Sequence, residues 1–211
     1  TFWQSLHMFK HCTHITHCNL FPVRPLNRKL KMAWKARCRS NDELITELRQ
    51  NQILTSKGVE KAMRRVDRGN YSADPQEAYN DNPHSIGWGA TISAPHMHAM
   101  CLELLEDKVS KPNARVLDVG SGSGYLCACF GRMVGPDSKI IGIDIIPELV
   151  EWSVANMKKK DNDLIDKGVV TLKVGDGWKG DPENGPYDAI HVGAAAATLP
   201  KSLVDQLATP G

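Results

Sequence analysis

The chain has 211 residues, of which 41% are hydrophobic and 24% charged, and this is typical of one soluble globular domain. No apolar run approaches the ~20 residues that a membrane-spanning helix needs. The net charge of +2 gives little support to a nucleic-acid-binding protein, because residues 1–31 carry the excess of lysine and arginine. Six irregularly spaced cysteines predict reduced thiols and a cytosolic protein.

Residues 1–31 differ in composition from the rest of the chain, since they contain five Lys and Arg and no acid. We expect them to be a disordered extension, with an organelle-targeting segment as the alternative. Some side chains there are of the types that ligate zinc, namely His11, Cys12, His14, His17 and Cys18. Their spacing matches no standard zinc finger, so we predict no metal site. The folded domain is expected to occupy residues 32–211.

Two helices are predicted at the start of this domain. Ser40 followed by Glu43 forms a capping box, and the apolar residues after it have helical spacing. Thr55 or Ser56 is the expected cap of the second helix. Residues 69–85 are rich in Asn, Asp, Pro, Ser and Gly and are therefore predicted to be loop.

A third helix is predicted from Pro95, which suits the first turn of a helix, with Ser93 or Ala94 just outside it. Its predicted apolar face consists of Met97, Met100, Cys101, Leu104 and Leu105. Free amides and hydroxyls at the start of such a helix form an anion site, for which a carboxylate is the natural ligand. His98 lies one turn into the helix, and its position alone favours an ordinary core or surface histidine.

The second half of the chain alternates strands with helices. Apolar runs predict strands at 115–119, 139–143, 169–174 and 187–193. Helices are predicted to begin at Tyr125, Pro147 and Pro200, the last of them running through Leu207. This order predicts an α/β fold, a doubly wound and mostly parallel sheet with helices on both faces. Loops at the carboxyl ends of its strands meet at one edge, where ligands bind.

The glycine-rich turn after the first of these strands predicts a cofactor site. It contains Gly120, Ser121, Gly122, Ser123 and Gly124, and this spacing is not the dinucleotide fingerprint Gly-x-Gly-x-x-Gly. Asp118 would repel a pyrophosphate but suits an ammonium group, and Asp144 after the next strand suits two ribose hydroxyls. Asp176, in a later loop, would accept from the adenine amino group. Together these residues indicate S-adenosyl-L-methionine (SAM), with a dinucleotide site or a turn without ligand as alternatives.

Two stretches now resemble a known family. Residues 117–124 resemble motif I of class I SAM-dependent methyltransferases. Residues 91–99, with the sequence TISAPHMHA, resemble the signature of protein-L-isoaspartate (D-aspartate) O-methyltransferases and lie upstream of motif I at the expected distance. Residues 175–177 and 186–194 also resemble this family, so the resemblance covers about residues 32–211.

The resemblance implies methyl transfer from SAM, which leaves S-adenosyl-L-homocysteine, to the free α-carboxylate of isoaspartyl and D-aspartyl residues. The substrates would be damaged proteins and peptides, and the methyl ester would collapse to a succinimide that hydrolyses partly to normal aspartate. The implied fold is a Rossmann-like methyltransferase domain. We expect a monomer that binds neither nucleic acid nor membranes.

The resemblance also implies roles for single residues. Ser93 would be the active-site hydroxyl that contacts the substrate carboxylate. The implied SAM site is lined by Ala90, Thr91, Ile92, Ser93, His98, Ser123, Asp144, Ile145, Asp176 and Gly177. Because a carboxylate is already ionised at neutral pH, no strong general base is needed. We therefore expect Ser93 to orient the substrate and not to act as a nucleophile.

Other functions remain open at this stage. A class I methyltransferase with a different substrate is disfavoured by residues 91–99 and by the absence of a basic stripe outside residues 1–31. A non-catalytic SAM-binding module is the second alternative, because the family continues with further strands that we expect this domain to lack. An NAD-dependent reductase fails on the glycine spacing.

Overall fold

The structure is a computed structural model that describes residues 38–194, 196 and 198–209. The expected extension at 1–31, with its candidate zinc ligands and the targeting alternative, lies outside the described residues. The same is true of residues 195, 197, 210 and 211.

The first two helices begin at the predicted caps. Helix α1 (Asn41–Gln50) begins at Ser40, whose hydroxyl accepts a hydrogen bond from the Glu43 amide at 3.2 Å. Helix α2 (Lys57–Arg65) begins at Ser56, whose hydroxyl accepts from two backbone amides of the first turn. Local sequence therefore sets both helix starts.

A β-hairpin that the sequence does not predict follows the loop predicted at 69–85 and overlaps it only at His84 and Ser85. The 3₁₀ helix Arg68–Tyr71 is followed by strand β1 (His84–Gly87), which pairs antiparallel with strand β2 (Ala90–Ile92). The turn consists of Gly87, Trp88 and Gly89, all with positive φ. Such a turn joins strands too short to show an alternating pattern, and their pairing depends on contacts with the rest of the fold.

Helix α3 (Pro95–Val109) begins as predicted but buries a different face. Its buried residues are Pro95, His98, Ala99, Leu102 and Val109, whereas Leu104, on the predicted apolar face, is 66% exposed. His98 is buried because it contacts Arg68, which is itself fully buried. The buried face of the helix therefore includes a polar contact, and the spacing of hydrophobic residues cannot reveal such a contact.

Four parallel strands form the central sheet, as predicted. Their bounds are β3 (Arg115–Val119), β4 (Lys139–Asp144), β5 (Val170–Val174) and β6 (Ala189–Val192). The spatial order is β5-β4-β3-β6, so the first of these strands in the chain pairs with β4 on one side and β6 on the other. The chain therefore changes direction across the sheet at β3, and this topological switch point is where open α/β sheets bind ligands.

Helices cover both faces of this sheet. They are α4 (Tyr125–Met133), α5 (Pro147–Lys160), α6 (Asn162–Asp166) and α7 (Lys201–Val204). Helix α7 ends earlier than predicted, because the backbone after it turns back to Tyr187, which exchanges hydrogen bonds of 2.8 Å with Gln206 and Ala208. None of the described helices has the length and apolar content needed to cross a membrane.

An ion-pair cluster fixes the far end of α4. The Arg132 guanidinium donates to Asp161 at 2.6 Å and to Asp163 at 2.7 Å, and the Tyr71 hydroxyl donates to Asp161 at 2.7 Å. The hydrogen bond from Arg132 lowers the pKa of Asp163 to about 2. The cluster joins the 3₁₀ helix, α4 and the start of α6.

The pH dependence of this cluster can be measured. Because the folded-state pKa of Asp163 lies below its ordinary value of 3.8, its ionised form stabilises the protein above that pH. We expect Asp163→Asn to lower the free energy of unfolding above about pH 4, with the difference from wild type shrinking as the pH falls towards 2. Denaturant titrations across this range test it, and exposed Asp107→Asn is the control. A pH-independent difference would contradict the prediction.

A second prediction concerns Gly142, where β4 passes under α4. A Cβ there would lie 2.6 Å from both the Cys127 sulfur and a Leu172 methyl carbon. We expect Gly142→Ala to destabilise the fold by about 1–3 kcal/mol through overpacking. Gly135→Ala is the matched control, since nothing lies within 4 Å of its Cβ position, and it should change stability by less than about 0.5 kcal/mol. Equal unfolding midpoints for the two variants would refute this packing constraint.

Candidate active site

The loop between β3 and α4 has a backbone that glycine alone adopts easily. Gly120, Gly122 and Gly124 have φ values of 75°, 52° and 82°. The amides of Gly120 and Ser121 donate to the Ile143 carbonyl at 2.8 and 3.0 Å, which ties the loop to β4. The three glycines seen in the sequence are therefore required by the turn itself.

A cavity of about 330 Å³ lies over this loop at the carboxyl ends of the strands. Eight of the predicted site residues line it: Ala90, Thr91, Gly120, Gly122, Asp144, Ile145, Asp176 and Gly177. The volume is within the range of sites for cofactors and other small molecules. The cavity thus brings together loops that are far apart in sequence.

Two carboxylates lie at the cavity wall. Asp144 accepts from the Gly122 amide at 3.1 Å and from the Ile146 amide at 3.2 Å, so its carboxylate is oriented and keeps free lone pairs. Asp176 accepts from the Trp178 amide at 3.0 Å. Asp144 is the last residue of β4, and Asp176 lies two residues after the end of β5.

The hairpin forms the opposite wall. Ala90 and Thr91 line the cavity, and the Ile86 side chain lies against Gly122, 3.6 Å from the position of its missing Cβ. At the hairpin tip the ring of Trp88 lies 6.1 Å from that of Trp152 on α5. The hairpin is therefore packed on the glycine loop and on the helix that follows Asp144.

Ser93 lies just beyond this wall. It is exposed, and its carbonyl accepts from Arg68 at 2.8 Å. The neighbouring start of α3 is not the open anion site expected from the sequence: the His96 amide donates to Asp81 at 2.9 Å, and two later amides bond to Ala94. A carboxylate of the chain itself therefore already occupies this helix start.

Asp118 does not face the cavity. It is 1% exposed and accepts from His191 Nδ1 at 2.8 Å and from the Cys127 thiol at 3.1 Å. Successive side chains of a strand alternate between faces, so Val119 lines the cavity and Asp118 lies on the other side. Burial disfavours charge on His191, but its hydrogen bonds with Asp118 and Cys101 prevail and raise its pKa to about 10. The expectation that Asp118 binds an ammonium group of the cofactor is therefore wrong, because its carboxylate is already bonded to His191 and Cys127.

Five other predicted site residues are not cavity-lining. Ile92 and Ser121 are buried, and the Ser121 hydroxyl has no hydrogen-bond partner among the described residues. Ser123 is buried and accepts from the Tyr125 amide at 3.3 Å. Gly124 caps α4. His98 is buried with its ring 5.0 Å from that of Tyr125.

The cavity also has a lining that the residue-by-residue assignment missed. Trp178, Gly193, Ala194 and Ala196 contribute to it, together with the apolar strand-end residues Val119, Ile143 and Val192. The run of small residues after β6 was a usable signal, whereas strand-end apolar residues cannot be told from core residues by sequence. In the part of the chain that the structure describes, no group of three His, Cys, Asp or Glu side chains could hold a metal ion.

Comparisons with known proteins agree on one family. The family model for protein-L-isoaspartate(D-aspartate) O-methyltransferase matches residues 39–211. Protein-L-isoaspartate O-methyltransferase 1 of Arabidopsis thaliana is 50% identical over 184 residues, covering 86% of this chain and 80% of the relative. The Caenorhabditis elegans protein-L-isoaspartate O-methyltransferase is 46% identical over 180 residues, covering 85% of this chain and 79% of that protein.

A solved structure is also similar. A protein-L-isoaspartate O-methyltransferase from Plasmodium falciparum, in complex with S-adenosyl-L-homocysteine, aligns with a TM-score of 0.74 and 37% identity, covering 80% of each chain. The sheet order and the glycine loop at its switch point define a class I methyltransferase fold. Within that class, the chain belongs to the protein-L-isoaspartate(D-aspartate) O-methyltransferase family.

Asp144 allows a direct test of the predicted ribose contact. Its carboxylate would accept two hydroxyl hydrogen bonds, and a hydrogen bond to a charged group contributes about 1.5–3 kcal/mol. We expect Asp144→Asn to weaken SAM binding roughly 10- to 100-fold by titration calorimetry. Asp137→Asn, which changes an exposed acid before β4, is the control for the loss of one charge. Wild-type affinity in the Asp144 variant would exclude the ribose contact.

Proposed function

We propose that this chain transfers the methyl group of SAM to the free α-carboxylate of isoaspartyl, and D-aspartyl, residues in damaged proteins and peptides. The observation that carries the proposal is the wall that β2 forms over the glycine loop. Thr91 lines the cavity, and Ser93 follows two residues later at an exposed position. The segment that resembles the family signature thus adjoins the segment that resembles the cofactor motif.

The cavity suits SAM in size and chemistry. Its floor is glycine backbone: a Cβ on Gly120 would lie 3.4 Å from the Ala194 methyl group, and one on Gly177 would lie 2.8 Å from Val119. Asp144 keeps acceptor capacity for ribose hydroxyls, and Asp176 keeps it for the adenine amino group. The relative from Plasmodium falciparum was solved with the demethylated product of this cofactor.

When bound, SAM supplies an electrophilic methyl group on its sulfonium. The acceptor carboxylate is ionised at neutral pH and is the nucleophile, so the chain need not remove a proton. We propose that Ser93 donates a hydrogen bond to one carboxylate oxygen and thereby directs the other towards the methyl group. The hairpin and the rim residue Trp178 exclude water, and alignment supplies most of the rate enhancement.

The wider setting is also a proposal. We assign the methyltransferase domain to residues 32–211 and expect a cytosolic monomer that takes protein and peptide substrates, not nucleic acid or membranes. The free thiols of Cys38, Cys101, Cys127 and Cys129 support a reducing compartment. Light scattering of the purified chain tests the oligomeric state.

The activity is tested with labelled SAM and two peptides that differ only in containing isoaspartate or normal aspartate. We expect methylation of the isoaspartyl peptide alone. Ser93→Ala should lower turnover roughly tenfold or more while SAM affinity stays near that of wild type, because the lost hydrogen bond goes to the acceptor. Ser85→Ala, which changes another exposed serine of the same hairpin region, is the matched control and should keep wild-type turnover.

The outcomes separate the competing functions. If wild type binds SAM but methylates neither peptide, the chain is a binding module or acts on another substrate. If both peptides are methylated, the specificity for isoaspartate is wrong. If Ser93→Ala keeps full turnover, Ser93 does not orient the acceptor.

A further inference from the structure

The most deeply buried charge near the site belongs to Arg68. Its side chain is 0% exposed, yet the acceptors that hold it are neutral: the carbonyls of Ala78 and Ser93, at 2.9 and 2.8 Å, and His98 Nδ1, at 3.1 Å. Burial lowers the pKa of Arg68 to about 10, so the guanidinium is still charged at neutral pH. Burying an arginine is unfavourable unless its donors are satisfied, so a fully buried one needs a reason.

One of these contacts fixes the protonation of His98. A guanidinium has donors only, so Nδ1 of His98 must accept, and the ring proton is therefore on Nε2. Burial, together with the charge of Arg68, holds the pKa of His98 well below its ordinary value. The ring is also packed against Tyr125. His98 is thus kept neutral, in one tautomer and one orientation.

A second contact fixes the backbone of Ser93. This residue lies between β2 and α3, and its carbonyl accepts from Arg68 Nη2. The guanidinium is planar, and its donors point in fixed directions, so one side chain sets the positions of Ser93 and His98 relative to each other. Lysine could not do this, because an ammonium group is a point charge on a flexible stem.

Further contacts hold Arg68 in place. Its backbone amide donates to the Asn41 side chain at 3.3 Å, and the Asn41 amide group donates to the Met63 carbonyl at 2.9 Å. The guanidinium also lies 5.5 Å from the centre of the Tyr125 ring, at the start of the helix that follows the glycine loop. The first two helices therefore hold the backbone of Arg68 through Asn41, and the Arg68 side chain joins the start of α4 to Ser93.

We propose that Arg68 is a positioning residue for the methyl transfer: it holds Ser93 and the Nε2–H tautomer of His98 in the arrangement that the reaction needs. The inference rests on the function proposed above. A purely structural arginine would change stability when replaced, but the folded variant would not lose kcat while keeping a nearly unchanged KM.

The test uses Arg68→Lys and Arg68→Met in the full chain, with Arg65→Met as the control, because Arg65 is exposed on α2. In Arg68→Lys we expect kcat for the isoaspartyl peptide to fall roughly 10- to 100-fold, with KM changed less than about threefold, since misalignment affects the transition state more than binding. Nitrogen-15 spectra of the histidine rings should show Nε2–H for His98 in wild type and a tautomer mixture in Arg68→Met.

Several results would overturn the inference. They are wild-type kcat in Arg68→Lys, an unchanged His98 tautomer in Arg68→Met, and failure of both variants to fold, which would make the role purely structural. If wild type itself methylates no isoaspartyl peptide, the proposed function is wrong, and the inference about Arg68 is then wrong as well. If wild type is active and Arg68→Lys is equally active, the positioning role of Arg68 is wrong, whereas the proposed function stands.

Discussion

The position of β3 between β4 and β6 is the constraint on which the site depends. Because the chain leaves β3 towards one side of the sheet and later returns to its other side, the loops after β3 and β6 diverge and leave a crevice. The glycine loop, Asp144 and the small residues after β6 all line the crevice because each lies at the carboxyl end of a strand or just after it. Parallel pairing thus brings distant segments together in one cavity, and the hydrogen bond from the Gly122 amide to Asp144 joins two of them directly.

The other half of the site is assembled differently. The hairpin belongs to no larger sheet, and the segment around Ser93 is held by side-chain contacts from Arg68. The cofactor side of the cavity therefore depends on backbone pairing, whereas the acceptor side depends on a buried guanidinium and on packing. We expect substitutions outside the cavity to affect the acceptor side first, because fewer backbone hydrogen bonds hold it.

The sequence predicts most of the features that depend on neighbouring residues in the chain. Ser40 and Ser56 cap helices as expected, and the strand–glycine–helix pattern at 115–133 is found in place. Long-range contacts account for the differences. The buried face of α3 includes the contact of His98 with Arg68, Asp81 occupies the start of that helix, and Asp118 is paired with His191. Each of these is a polar pair between residues far apart in sequence, and neither periodicity nor capping rules contain such pairs.

The hairpin tip carries a conflict within one residue. Trp88 has a left-handed backbone, which is unfavourable for a large side chain, while its ring lies against Trp152 and joins the hairpin to the helix after Asp144. A glycine there would relieve the backbone and release the ring contact. The unfavourable backbone and the favourable ring contact therefore oppose each other within one residue, and the seating of the hairpin on the helix after Asp144 depends on that contact.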